Sequence, residues 1–165
     1  MSGGWWPNKI RQFFRHLFAR VRPAERDQLR DWLTAGQLAL FDSMHRADRR
    51  HGLDVVRALH AAGRNESDLL LAGLLHDAGK GRAVNVWHRV AWSLAVHYPG
   101  RLRSLMVRMP GFEKAFAILD NHAESSARLA LAAGCSEACA ELIRHQDEPI
   151  DQSLGVALRI ADEAS

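Results

Sequence analysis

Two cysteines in 165 residues are too few for a disulfide framework. Cys135 and Cys139 stand four apart in a helix-like stretch and read as reduced thiols facing a helix partner, with zinc ligation as the alternative. That usage suits a reducing compartment. No apolar run reaches the roughly 18 residues of a membrane span, and residues 1–22 have neither a continuous apolar core nor a small-residue cleavage site. A cytoplasmic protein is therefore expected. Strand signals are missing too: there is no sustained apolar–polar alternation and no Asn-Gly or Asp-Gly hairpin between β-branched runs. Internal repeats and low-complexity segments are also lacking. There is no room for a second full domain, yet a chain of this length buries about 68–70% of its unfolded surface, so neither disulfides nor a structural metal is needed for folding. Any metal would serve function.

Acid is absent from residues 1–22, which carry Lys9, Arg11, Arg15, Arg20 and Arg22. The chain as a whole sums to +3, so residues 23–165 sum to −2. A nearly neutral body without a basic stripe does not favour nucleic acid as a partner. Within the basic segment, Ile10, Phe13, Phe14, Leu17, Phe18 and Val21 recur at helical spacing over 8–21, behind Trp5 and Trp6. Residues 5–22 read either as a basic amphipathic helix docked on an anionic membrane surface or protein partner, or as one packed on its own domain. The expected organisation is this N-terminal helix over 1–22 and one helical domain over 23–165.

From Pro23 onward the pattern is helical almost throughout, with helices expected at about 24–33, 37–45, 48–62, 66–77, 84–97, 101–108, 112–132, 136–146 and 152–163. Gly63, Gly100, Gly111 and Gly134 supply stops, Pro110 and Pro149 interrupt, and Ser67, Ser136 and Asp151 are candidate N-caps. The class is all-α.

Of nine histidines, His16, His45, His60, His88 and His97 read as ordinary surface or core residues. The rest behave differently. The segment Asp68-Leu-Leu-Leu-Ala-Gly-Leu-Leu-His76-Asp77-Ala78-Gly79-Lys80 is an apolar helix running straight into adjacent His and Asp. Desolvating an imidazole and a carboxylate at the mouth of such a helix is costly, and a divalent cation offsets that cost for both. Gly79 permits a sharp turn, and Lys80 offers a cation to an anion.

The ordered set Arg50-His51, His76-Asp77-Ala-Gly-Lys80, Asp120-Asn-His122, Ile143-Arg-His145 and Leu158-Arg-Ile-Ala-Asp162 resembles the HD superfamily of metal-dependent phosphohydrolases. The resemblance covers roughly residues 45–165 and implies an HD-domain-like helical bundle. It further implies that His51, His76, Asp77 and Asp162 hold one divalent metal. His122 and His145 match the positions that hold a second metal in some members, with Asp77 bridging. Asp120 and Asp147 stand close enough in sequence to replace those two histidines. Mixed imidazole and carboxylate ligation suits iron or manganese, with cobalt, nickel, zinc or magnesium as alternatives.

A binuclear centre of this kind activates water and stabilises the oxygens of an in-line displacement at phosphorus. Asp77 and Lys80 are the expected catalytic residues, Lys80 neutralising a phosphoryl oxygen. The expected substrate is a small phosphorylated molecule, a nucleotide or a dinucleoside polyphosphate such as diadenosine tetraphosphate. His97-Tyr98-Pro99-Gly100 departs from the Gly-Tyr-Pro motif of the cyclic di-GMP branch. Arg82 and His88 lie just downstream, either as substrate contacts or as surface residues. The competing reading is a catalytically inactive HD-like signalling or scaffold domain tethered by its N-terminal helix.

Overall fold

A computed structural model describes residues 20–97 and 101–165. Every element among them is helical: α1 Pro23–Leu29, α2 Ala35–Ser43, α3 Arg46–Ala61, α4 Ser67–Leu75, a 3₁₀ turn Ala78–Lys80, α5 Val86–His97, α6 Arg101–Val107, α7 Phe112–Asp120, α8 His122–Ala132, α9 Glu137–Arg144 and α10 Leu154–Ala164. None of these helices is long and apolar enough to cross a membrane. The expected 8–21 helix, with the aromatic and basic segment and His16, falls outside the described residues as far as residue 19. Val21, which is described, packs against the main core.

The bundle is organised around α4. Its residues 69–75 are all buried, as an all-apolar helix requires. It is packed by α3, α9 and α10, and α8 lies against both α9 and the 3₁₀ turn. Phe41, Val55, Leu59, Leu69, Leu74, Leu75, Ile143 and Leu158 form a continuous core, and Cys135 and Cys139 sit within it as free thiols.

Local chemistry sets the boundaries. Pro23 opens α1 from a first-turn position. Thr34 and Gln37 form a reciprocal capping box on α2, and the Ser136 hydroxyl accepts from Cys139 N at 3.0 Å to start α9. The expected helix over 112–132 is two helices. Asn121, at φ −113 and ψ 12, breaks it, and its side-chain amide donates to Ala117 O instead. The expected helix over 66–77 stops at Leu75, and the expected 24–33 helix stops at Leu29 and gives way to turns. Glu66 rather than Ser67 is the N-cap of α4, while Asp151 Oδ1 accepts from Ser153 N and Leu154 N ahead of α10.

Helices α5 and α6 form a hairpin that shares a small core with α7: Ala91, Ala95 and Phe116, flanked by Trp92, Met106, Val107 and Phe112.

Candidate metal centre

Helix α3 carries His51 in its second turn, and the next residue decides how close α4 can come. A Cβ on Gly52 would lie 2.4 Å from Leu74 O, so only glycine permits this crossing. The close approach sets His51 against His76, the C-cap of α4, with ring centroids 5.2 Å apart. His76 Nδ1–H donates to Gly73 O at 3.0 Å, which aims Nε2 into the cluster. The chain then tightens into the 3₁₀ turn, leaving it at Gly81 with φ 61.

Gly79 seats that turn on α8. Its N–H donates to Ser126 Oγ at 2.8 Å, and a Cβ there would lie 2.5 Å from His122 O and 2.7 Å from Ser126 N. His122 is the first residue of α8, and its Nδ1–H donates to Leu119 O at 2.6 Å. From α10 comes Asp162, anchored by buried Leu158 and Ala161, within a helix that continues to Ala164.

These supports bring four of the six expected ligands into one cluster. His51, His76 and Asp77 each offer a ligand atom, all within 4.8 Å of one another. Asp162 Oδ1 lies 2.6 Å from His51 Nε2 and 3.4 Å from His76 Nε2, and His76 Nε2 is 3.5 Å from Asp77 Oδ1. His122 stands at the edge, its Nε2 3.8 Å from Asp77 Oδ1. His145 does not join. Its Nε2 lies 3.4 Å from Glu141 Oε2, and its ring lines a shallow pocket with Leu142, Pro149, Ile150 and Leu154. The neighbouring residue turns inward instead: Gln146 is buried, with Nε2 3.1 Å from His122 Nε2. Because Leu119 O takes the His122 Nδ1 proton, Nε2 carries the lone pair and the Gln146 amide N–H donates to it. Gln146 Oε1 is left buried without a hydrogen bond.

Asp77 is the electrostatic centre. Lys80 Nζ donates to Oδ2 at 2.7 Å and lies 2.7 Å from Oδ1, which is buried and accepts no hydrogen bond. Burial alone would raise the Asp77 pKa, but Lys80, His76 and His51 hold it well below the usual carboxylate range. Burial alone would likewise lower that of His76; Asp77 and Asp162 outweigh it and raise it to about 9. Desolvation opposes ionisation of Asp162 as well, and the His51 and His76 hydrogen bonds keep it ionised at pKa values far below normal. His122 moves the other way, lowered first by burial and then by Lys80. It stays neutral.

The remaining polar residues have structural partners. Arg82 donates to Ser43 O and Asp42 O, and His88 exchanges backbone and side-chain hydrogen bonds with Asn85 at the start of α5. Asp120 accepts from Trp92 Nε1 at 2.8 Å and from Arg103, and Asp147 is exposed. His45 caps α3 and His60 bonds Asn65. Sequence spacing gave no sign of Gln146, of Gly52, or of the buried Asp48, which sits one turn before His51 and grips Arg89 of α5 through both carboxylate oxygens.

No protein-family model, curated protein or solved structure matches the chain.

Proposed function

We propose that the bundle is an HD-type metal-dependent phosphohydrolase domain, with a divalent cation held by His51, His76, Asp77 and Asp162. The observation that carries this reading is the convergence of His51, His76 and buried Asp77, whose ligand atoms all lie within 4.8 Å of one another, with Asp162 beside the two imidazoles. Desolvating imidazoles and carboxylates together is costly, and a divalent cation offsets that cost for all of them. The outer contacts agree: His76 gives its Nδ1 proton to a backbone carbonyl, the arrangement that orients a ligating histidine. A mixed nitrogen and oxygen donor set suits iron or manganese. A cation bound there supplies Lewis acidity toward a phosphoryl oxygen and activation of water.

The protein's own residues do the rest. Lys80, tethered to Asp77 and one-fifth exposed, holds a positive charge at the edge of the site, where it neutralises a phosphoryl oxygen. Asp77 and Asp162 remain ionised and fix the ring orientations of His51 and His76. The resemblance extends the reading to a nucleotide-like phosphoester or phosphoanhydride as substrate. A second metal loses its expected ligand His145 to the far side of α9, and His122 Nε2 is taken by Gln146, so we propose one cation rather than two.

Elemental analysis of protein purified without chelator, and again after loading with manganese or ferrous iron, tests the centre. One transition-metal equivalent, lost in Asp77→Asn, is the expected result, followed by turnover in a screen of nucleotides and dinucleoside polyphosphates. A specific observation favours the scaffold alternative: the carboxylates of Asp77 and Asp162 are matched by Lys80 and by His76, whose pKa is raised to about 9, so the cluster is charge-balanced without a cation. A chain that stays empty after loading would establish that alternative.

A further inference from the structure

Charge is sorted by region in this chain. Residues 78–112 carry Lys80, Arg82, Arg89, Arg101, Arg103 and Arg108 and not one Asp or Glu. Residues 1–22 are equally free of acid, with five cations, so against the whole-chain +3 everything else sums to −8. The near-neutral total of the body therefore conceals a basic excursion set on an acidic bundle. Lys80, Arg89 and Arg103 are committed to Asp77, Asp48 and Asp120. Arg82 is held by carbonyls alone and keeps its net charge, and Arg108 is exposed.

The same excursion displays apolar side chains. Val96 is 53% exposed, Leu105 64% and Met109 50%. Leu105 and Met109 stand four apart, and the bonds Arg108 N to Leu105 O and Met109 N to Met106 O carry the winding of α6 past its end. Leu105 and Met109 thus flank exposed Arg108 at the turn that ends α6. Val96 occupies the last turn of α5. Single exposed apolar residues are ordinary on any surface. Their coincidence with an acid-free stretch of this length is what calls for a partner.

We propose that the α5–α6 hairpin is a docking surface for an anionic lipid bilayer. A bilayer interface accepts both features at once: aliphatic side chains enter the acyl boundary while arginines stay among the headgroups. A nucleic acid would leave Val96, Leu105 and Met109 in water and gain only the charge term. The acidic remainder is repelled by the same surface, so the hairpin is the part of the described structure that faces it. This inference is independent of the metal reading, because none of the proposed ligands lies in α5 or α6.

Flotation of the full-length chain with phosphatidylglycerol vesicles and with pure phosphatidylcholine vesicles tests it. Binding to the first and not the second, weakened by added salt, is expected. The double variant Leu105→Glu, Met109→Glu should reduce binding at least tenfold with an unchanged circular dichroism spectrum, and Arg108→Glu by about fivefold or more per charge altered. Both variants retain residues 1–22, so vesicle binding equal to the parent would overturn the assignment to the hairpin. Absence of phosphatidylglycerol binding overturns it as well. So would tight binding of single-stranded RNA that the double glutamate variant leaves intact, since the basic residues would then serve a nucleic acid.

Discussion

The bundle and the α5–α6 hairpin solve the problem of holding helices together in different ways. In the bundle, α3, α4, α8, α9 and α10 share a deep core running from Phe41 through Leu74 to Ile143, and the whole candidate metal centre hangs from it. The hairpin buries only Ala91 and Ala95, against Phe116 of α7, and much of its attachment is polar: Arg89 to Asp48, and Trp92 and Arg103 to Asp120. Apolar burial is non-directional but stiff when tightly packed, which suits ligand atoms that must keep their separations. A few buried polar ties fix where a segment sits while leaving its apolar side chains free to face outward.

The comparison predicts unequal responses to truncation of the two cores. Leu74→Ala removes a fully buried side chain from the centre of the bundle and should cost about 2–5 kcal/mol in urea denaturation. Phe116→Ala should cost less despite its larger volume, because the loss is capped by the smaller free energy needed to open the hairpin locally. Hydrogen exchange should show the same order, with α5 and α6 amides exchanging before those of α3 and α4. Equal losses of global stability would make the two regions a single cooperative unit and break the comparison.

A second contrast lies at the edge of the metal centre. Gly79→Ala drives a methyl group into backbone atoms of His122 and Ser126 and should cost about 1–3 kcal/mol while displacing Asp77 and Lys80, so metal retention falls too. At Gly81 the φ of 61 strains any other residue, yet a Cβ there meets nothing, and Gly81→Ala should cost about 1–3 kcal/mol through backbone strain alone and leave metal content unchanged. Elemental analysis of both variants distinguishes a turn that must fit α8 from one that must merely be left-handed. Gln146→His has a smaller effect on stability and a directed one on chemistry. It replaces an amide that occupies His122 Nε2 with a second imidazole, and bound metal per chain should rise above the parent's. An unchanged content would mean that His122 is no ligand even when uncapped.

How far these features are legible in the sequence depends on whether they are local. The all-helical class, the buried run of α4 and the stops at Gly63 and Gly134 follow from composition and periodicity, and the structure has them, whereas Gly111 opens α7 as its N-cap. The placing of His51, His76, Asp77 and Asp162 in one cluster followed from an ordered motif rather than from periodicity. The positions where the structure departs from the helical pattern turn on single side-chain hydrogen bonds and on packing between helices. Helical pattern continues through Asn121, whose break is fixed by an amide-to-carbonyl bond. His145 and Gln146 are adjacent at the end of α9, and only the roll of that helix against α8 decides which side chain turns inward. The basic excursion is masked in the sequence for another reason: a sum of −2 over residues 23–165 averages a positive stretch, 78–112, with a negative remainder.

The smallest predicted effects concern pH, and they too come from two parts of the molecule. Glu25 of α1 opposes Arg50 and Arg57 of α3; burial acts against its ionisation, but the Arg22 backbone N–H and Arg50 lower its pKa from 4.5 to about 2. A carboxylate depressed on folding contributes stability above its unfolded value, so this contribution is present above pH 4.5 and is lost as pH falls through about 2. Arg57 is more than half exposed, so solvent screening limits the effect to about 1 kcal/mol or less. His76 has the opposite sign. Raised from 6.5 to about 9 in the metal-free cluster, it stabilises fully below pH 6.5 and loses that contribution as pH rises through about 9. Urea denaturation of chelator-treated protein should therefore show a plateau between these limits, declining on the alkaline side only while His76 is present. In Glu25→Gln the acid-side decline should shrink and the alkaline one stay. If His76→Ala leaves the alkaline decline untouched, the ion pairs of His76 with Asp77 and Asp162 contribute nothing to holding α4 against α10.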